Sequence, residues 1–168
     1  MREMEGRCQM REILFKAKCI DDNKWIEGSL LIDQSGYYLN HGHMHWLQPT
    51  APGKYFAYPV DPETVCEYTG LKDKNGRKIF ENDILMCHRN PNDLIKVVFG
   101  KFKVINAETY EVVDEVVGWH YEVIPTDAIS QIEPFCISMP LTEHYIERCE
   151  AEVCDPSTIE KIRRRTSK

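Results

Sequence analysis

The segment TGLKDKNGRKIFENDIL, residues 69–85, contains the clearest fold signal in the chain. Asn75 and Gly76 lie between charged residues and are typical of a tight β-hairpin turn, in which both central residues adopt positive φ. An apolar pair at 79–80 resumes the strand pattern, and the polar residues 81–83 predict a second turn. A further strand is expected to begin at Ile84. The segment therefore predicts a hairpin, an acidic turn and another strand.

The strand pattern continues on the C-terminal side of this segment. Residues 94–105 are β-branched and aromatic, with Gly100 expected at a bulge or bend. Because curved strands close small barrels, we expect a mainly β fold, a small bent barrel that is like the Src-homology-3 domain by analogy. Residues 113–116 are interpreted as a hairpin tip, and alternation over 148–153 predicts a late strand.

The N-terminal side predicts a second hairpin. Residues 11–20 alternate between apolar and polar side chains, with Ile13, Phe15, Ala17 and Cys19 on one face. Residues 24–32 are interpreted as the returning strand, and a short strand is expected at 37–39. Residues 48–62 hold four prolines, so we expect a loop that packs its aromatic side chains.

Short helical turns are expected near the C-terminus. Thr126 or Asp127 is suited to cap a turn over 128–130, because both side chains can accept a backbone hydrogen bond. Ser157 and Glu160 match a capping box, which predicts a short C-terminal helix. That helix would lead into a basic tail.

Composition excludes several classes of protein. The chain has 168 residues, of which 42% are hydrophobic, and a net charge of −6. It is therefore not a generally polybasic nucleic-acid-binding protein, although a local patch is allowed. Seven cysteines include no C-x-x-C pair, so neither a zinc ribbon nor a thioredoxin-like site is predicted. With no secretion signal and no apolar run of about 18 residues, we expect a cytoplasmic protein without membrane association.

Residues 69–85 resemble a motif of the YopX family of phage and prophage proteins, close to T-G-L-x-D-x-N-G-x-x-I-[FY]-E-x-D-I. The matching residues are Thr69, Gly70, Leu71, Asp73, Asn75, Gly76, Ile79, Phe80, Glu81, Asp83 and Ile84. Residues 10–16 resemble the start of a family member, and residues 146–150 resemble its closing strand. The resemblance predicts a family domain over 10–155, between an N-terminal extension at 1–9 and a helix and tail at 156–168.

The motif is interpreted structurally rather than catalytically. Asp73 can bond backbone amides at the mouth of the hairpin, while the apolar motif residues fill a core. Glu81 and Asp83 could serve as paired carboxylates in acid–base chemistry, but their place in a turn favours capping. The resemblance implies a phage or prophage setting, and it implies no particular reaction and no cofactor.

Three features outside the motif remain candidates for function. His41, His43 and His45 would share one face of an extended segment, with the spacing of zinc ligands, so a metal-dependent hydrolase is one alternative. A basic tail could contact nucleic-acid phosphates by charge. Aromatic side chains of the proline-rich region form a candidate contact patch. The tail residues are Arg163, Arg164, Arg165 and Lys168, and the patch residues are Trp46, Tyr55, Phe56 and Tyr58.

Together these observations predict a non-enzymatic accessory protein that acts by binding a protein partner or itself as a homo-oligomer. A nucleic-acid-binding protein is the principal alternative. The sequence leaves the ligand, the partner and the oligomer number open.

Overall fold

The computed structural model describes residues 12–40, 57–106, 108–109, 111–127, 129–132 and 137–155. The chain divides into two compact units, Met1–Val65 and Cys66–Lys168. Strands predominate in both units, so the expectation of a mainly β fold is confirmed. No helix in the described part of the chain is both long and apolar enough to cross a membrane.

In the part of the first unit that the structure describes, four antiparallel strands lie in the order β4-β3-β2-β1. They are β1 (Phe15–Lys18), β2 (Trp25–Asp33), β3 (Gly36–Asn40) and β4 (Ala57–Pro59). The predicted N-terminal hairpin is confirmed, because Phe15 pairs with Gly28 and Lys18 pairs with Trp25. Ile13 is 66% exposed, so the buried face begins at Phe15 rather than at Ile13.

The core of the first unit lies on one face of this sheet. Ala17, Leu39 and Val60 are buried there, because alternate residues of each strand point to the same side. The proline-rich region was expected to be a loop, but its residues 57–59 form β4 at the edge of the sheet. An edge position suits Pro59, which has no N–H to donate to a further strand.

The described residues of the second unit form seven strands and one short α-helix. They are β5 (Cys66–Lys72), β6 (Lys78–Phe80), β7 (Ile84–Met86), β8 (Leu94–Ile105), β9 (Val112–Val123), β10 (Met139–Pro140), α1 (Glu143–Arg148) and β11 (Glu152–Cys154). The strands β7 to β11 form one sheet in the order β10-β9-β8-β7-β11. All of its pairings are antiparallel. Ile79, Leu85, Val97 and Ile146 belong to the main buried cluster.

The hairpin at Asn75 and Gly76 is confirmed, but its predicted turn type is wrong. Only Gly76 has positive φ, at 79°, whereas the predicted turn required it at both residues. The N–H of Gly76 donates to the carbonyl of Asp73, and the N–H of Asp73 donates to the carbonyl of Arg77. The tip is therefore a wider loop over residues 73–77, whose last bend is a glycine.

The long β8–β9 hairpin corrects two expectations. Gly100 was expected at a bulge, yet it pairs directly with Gly118, and the register shifts only between Val104 and Ile105. Residues 113–116 were expected to be a hairpin tip, but they lie within β9. The chain reverses instead between Asn106 and Glu111, whose backbone groups are hydrogen-bonded. Valine-rich sequence favours a continuous strand over a turn.

The predicted late strand over 148–153 is also partly wrong. Arg148 is the last residue of α1, and Glu150 has a positive φ of 48° that ends the helical path. The strand β11 starts only at Glu152. Ile146 and Cys149 are three residues apart, so one helical turn brings both side chains to the core. The two-residue alternation of apolar side chains over 148–153 did not indicate this helical spacing. The family's closing strand predicted at 146–150 is therefore mostly helix.

The short turn at Asp127 is confirmed, whereas the barrel is not. Residues 129–131 form a 3₁₀ turn, and the Asp127 carboxylate accepts the N–H of Ser130. Among the described residues, the five-stranded sheet ends at β10 and β11 without a pairing between them. The predicted Src-homology-3-like closure thus stays a prediction. The C-terminal helix and tail at 156–168 lie outside the described residues.

Candidate interaction surfaces

The loop of the family motif is organised around Asp73, which is only 6% exposed. Its Oδ1 accepts the N–H groups of Asn75 and Arg77 at 2.8 and 2.9 Å, which confirms the predicted role at the hairpin mouth. Its Oδ2 accepts the N–H of Val153 in β11 at 3.0 Å. This third bond was not predicted, because nothing near Asp73 in the sequence indicates that β11 lies beside it.

Further bonds hold the same loop against β11. The Lys74 ammonium lies 3.0 Å from the Glu152 carboxylate, and the N–H of Lys74 donates to the carbonyl of Ala151 at 3.1 Å. Arg77 reaches the carbonyl of Val153. Two of these bonds satisfy backbone carbonyls that lie 77 and 76 residues further along the chain, so the loop is a structural support.

Thr69 and Gly70 account for the irregular part of the β5–β6 pairing. The Thr69 hydroxyl donates to the carbonyl of Ile79 at 2.9 Å and accepts the N–H of Leu71 at 3.1 Å. Gly70 has a φ of 88°, and the register shifts between Tyr68 and Lys72. The hydroxyl therefore satisfies backbone groups that the bulge leaves without a strand partner.

The printed contacts of the two acidic motif residues are those of a turn. The Asp83 carboxylate accepts the N–H of Phe80 at 2.9 Å across a turn in which Asn82 has a φ of 62°. Glu81 uses its backbone N–H to bond the carbonyl of Glu67. The contacts of Asp83 fit the capping interpretation.

Most of the predicted patch and all of the predicted zinc ligands lie outside the described residues. Of the patch, only Tyr58 is described, and it is 51% exposed on β4. Trp46, Tyr55 and Phe56 lie outside, as do His41, His43 and His45. Within the described ranges, no group of three or more His, Cys, Asp or Glu residues is arranged to hold a metal ion. Both the patch and the zinc site stay predictions.

One face of the β8–β9 hairpin changes from buried to exposed along its length. Val97 is fully buried opposite Tyr121, whereas Phe99, two residues further on the same face, is 53% exposed. Phe99 lies opposite Trp119 with their rings 5.0 Å apart, edge to face, and Val117 next to it is 62% exposed. We call Phe99, Val117 and Trp119 the hairpin apolar face.

Charged side chains border the hairpin apolar face. Lys101 lies opposite Val117, and its ammonium is 3.1 Å from the Glu115 carboxylate. Lys103 lies directly opposite Glu115 and is exposed. Alternation in the sequence indicated the strand and these charges. It did not indicate the exposed apolar residues, because the same alternation runs through the buried half.

A second exposed aromatic residue lies on the first unit. Trp25 is 52% exposed and pairs with Lys18 on β1. The ammonium groups of Lys16 and Lys18 lie 5.1 and 5.6 Å from the centroid of its ring. Both distances are within the range of cation–π attraction. Trp25 was not singled out from the sequence, although lysines two residues apart on a strand opposite an aromatic residue are a readable signal.

A group of buried thiols and phenols lies beneath α1. Burial raises the pKa of Cys87 from its ordinary value of 9.0 to about 12, and the Asp93 carboxylate adds to the shift. Burial also raises the pKa of Tyr145, whose ring stacks on Tyr121 with centroids 4.4 Å apart. A thiol with so high a pKa is a poor nucleophile. His88 turns away to the Asp93 carboxylate, at 2.8 Å, so it does not activate Cys87.

Comparison with known proteins identifies the family. A family model described as YopX protein matches residues 14–135, which is more than half of the chain. The match includes the motif at 69–85 and ends before α1 and β11. No curated protein matches the chain. The chain belongs to the YopX family.

Proposed function

We propose that this YopX-family chain is a non-enzymatic accessory protein, encoded by a phage or prophage and acting in the cytoplasm, which pairs with a second copy of itself. The observation that carries the proposal is the hairpin apolar face, because Val97 is fully buried whereas Phe99, two residues further along the same face, is exposed. Exposed apolar patches bordered by charge mark interaction sites in soluble proteins. The family supports an accessory role, and the identities of the neighbouring genes test the phage setting.

A second copy is the partner that the local charge favours. The chain as a whole carries a net charge of −6, so two copies repel each other over most of their surface. The border of the hairpin apolar face is different, because Lys101 and Lys103 outnumber Glu115 on the same side. Because the border carries charges of both signs, the lysines of one copy can face the Glu115 carboxylate of the other across a two-fold axis.

The area available limits the strength of this association. Phe99, Val117 and the half-buried Trp119 together expose no more than roughly 400 Å² of side chain, taking about 250 Å² as an upper value for each. A stable interface of standard size buries about 800 Å² on each partner. We therefore expect a weak dimer, with a Kd in the range of about 1 to 100 µM, rather than an obligate oligomer.

Sedimentation equilibrium across a concentration series tests the proposal. The unmodified chain is expected to shift from monomer to dimer with increasing concentration, and the double variant Phe99→Ser with Val117→Ser is expected to stay monomeric. Ile32→Ser is the matched control, because Ile32 is also 62% exposed but lies on β2 of the first unit. Far-ultraviolet circular dichroism verifies that each variant is folded.

A charge variant gives an independent readout. Lys103→Glu makes the border of the face acidic and is expected to weaken the dimer at least fivefold. Lys72→Glu changes the net charge equally at an exposed position of β5 and is expected to leave it unchanged. A chain that is monomeric at all concentrations, or a dimer unaffected by Phe99→Ser with Val117→Ser, would contradict the proposal.

A further inference from the structure

The Trp25 side chain lies on the face of the first unit opposite its core. Ala17 points toward the buried cluster with Leu39, so the neighbouring residue Lys18 and its partner Trp25 point to the other side. A tryptophan that is 52% exposed leaves much of its apolar ring in water. Lys16 is two residues from Lys18 on the same strand and therefore shares its face.

The three side chains combine two kinds of recognition. The indole is 52% exposed and offers a flat π surface to solvent, and the two ammonium groups that lie over the ring, 5.1 and 5.6 Å from its centroid, supply positive charge. Cross-strand contacts with the lysines also fix the orientation of the ring before any ligand arrives. A ligand that matches both properties has a planar aromatic group and an anionic group close together.

We propose that Trp25, Lys16 and Lys18 form a binding site for single-stranded nucleic acid. An unpaired base stacks on the exposed part of the indole, and the adjoining phosphates contact the two ammonium groups. Duplex is disfavoured because its bases are already stacked on each other and present no free face to the ring. The residues of this site belong to the first unit, whereas those of the hairpin apolar face belong to the second unit.

The surrounding charges keep this site weak and sensitive to salt. Glu27 lies opposite Lys16 in the strand register, and the chain is acidic overall. Two phosphate contacts on a single strand correspond to a slope of log K against log salt of about −1.4. Raising salt from about 50 to 200 mM should therefore lower the affinity about sevenfold.

Fluorescence anisotropy with a labelled oligothymidine of about 12 nucleotides and the full chain tests the site. Trp25→Ala is expected to weaken binding about 10- to 100-fold, since one stacked base has this effect. Trp25→Phe keeps an aromatic ring and should retain most of the affinity. Tyr58→Ala is the matched control, because Tyr58 is equally exposed, at 51%, but pairs with Leu39 of the core face.

Variants at the two lysines and in the basic tail distinguish binding at this site from nonspecific charge attraction. The double variant Lys16→Gln with Lys18→Gln should bring the slope of log K against log salt close to zero. Thermal melting verifies that this variant and Trp25→Ala are folded. Replacing Arg163, Arg164 and Arg165 by Gln should leave binding unchanged. The proposal is overturned if no oligonucleotide binds at low salt, if duplex binds as tightly as single strand, if Trp25→Ala binds normally, or if only the tail replacement abolishes binding.

Discussion

The carboxylate of Asp73 accepts a hydrogen bond from the backbone N–H of Val153, with Oδ2 and N 3.0 Å apart, although 80 positions separate the two residues. The tip of the family hairpin thereby holds one edge of β11, while β7 pairs with the strand on its other side. The hairpin motif thus has a structural purpose that the isolated hairpin does not reveal.

We expect Asp73→Asn to destabilise the protein by about 2 to 3 kcal/mol. The amide oxygen can still accept from Asn75 and Arg77, but the NH₂ group would face the N–H of Val153, leaving a buried donor without an acceptor. Urea unfolding measures the loss. Asp21→Asn, at an exposed turn position, is the control and should change stability by less than about 0.5 kcal/mol. Equal effects of the two substitutions would refute this role for Asp73.

Replacing Gly76 with alanine should cost about 1 to 2 kcal/mol through the backbone alone. Its φ of 79° is disfavoured for residues with a side chain, yet an added Cβ would meet no atom within 4 Å. Gly118→Ala is the comparison, because its Cβ would make only an ordinary contact with Phe102, at 3.9 Å. Denaturation midpoints should fall for Gly76→Ala and stay nearly constant for Gly118→Ala, and the reverse order would contradict the turn geometry.

Trp119→Phe should change stability by less than about 1 kcal/mol, far less than the typical 3 to 5 kcal/mol for replacing a buried tryptophan by alanine. The indole Nε1 of Trp119 is buried and has no hydrogen-bond partner in the described part of the protein. Phenylalanine removes this unsatisfied donor, which offsets part of the lost packing. Thermal unfolding of Trp119→Phe and Trp119→Ala measures both effects; a similar large loss for each would show that the donor is satisfied.

Stability should decline as pH rises from about 9 to about 12. The pKa of Cys87 is 9.0 in its ordinary state and about 12 in the folded protein, so the unfolded chain releases this proton first. A group whose pKa is higher in the folded state stabilises the fold fully at a pH below its unfolded pKa. Between the unfolded and the folded pKa, each such group lowers the free energy of unfolding by about 1.4 kcal/mol per pH unit. Burial raises the pKa of Tyr121 in the same direction.

Urea midpoints measured at pH 8 and at about pH 10.5 test this dependence, and Cys87→Ala isolates the thiol. The variant is less stable at both pH values because it loses packing, but its decline with pH should be shallower by about one proton. An identical slope in the variant and the unmodified chain would show that Cys87 titrates normally when folded.

Prediction from sequence succeeded where a structure depends on neighbouring residues. The hairpin at Gly76, the cap at Asp127 and the strand over 94–105 each follow from short-range patterns, and each is present. Prediction failed at 146–150, because two-residue alternation and three-residue helical spacing fit the same apolar residues. Which of the two forms depends on whether Ile146 and Cys149 pack together into the buried cluster that contains Val97, and that cluster is built from residues distant in sequence.

The amino-acid sequence by itself determined the family, the strand-rich character and the place of the motif turn, since turn geometry and strand alternation are properties of adjacent residues. Only the tertiary structure decided that Asp73 reaches Val153, that Phe99 is exposed while Val97 is buried, and that two lysine ammonium groups lie over the exposed Trp25 ring. These relationships depend on which segments meet, and identical local patterns are buried or exposed according to what another part of the chain places over them.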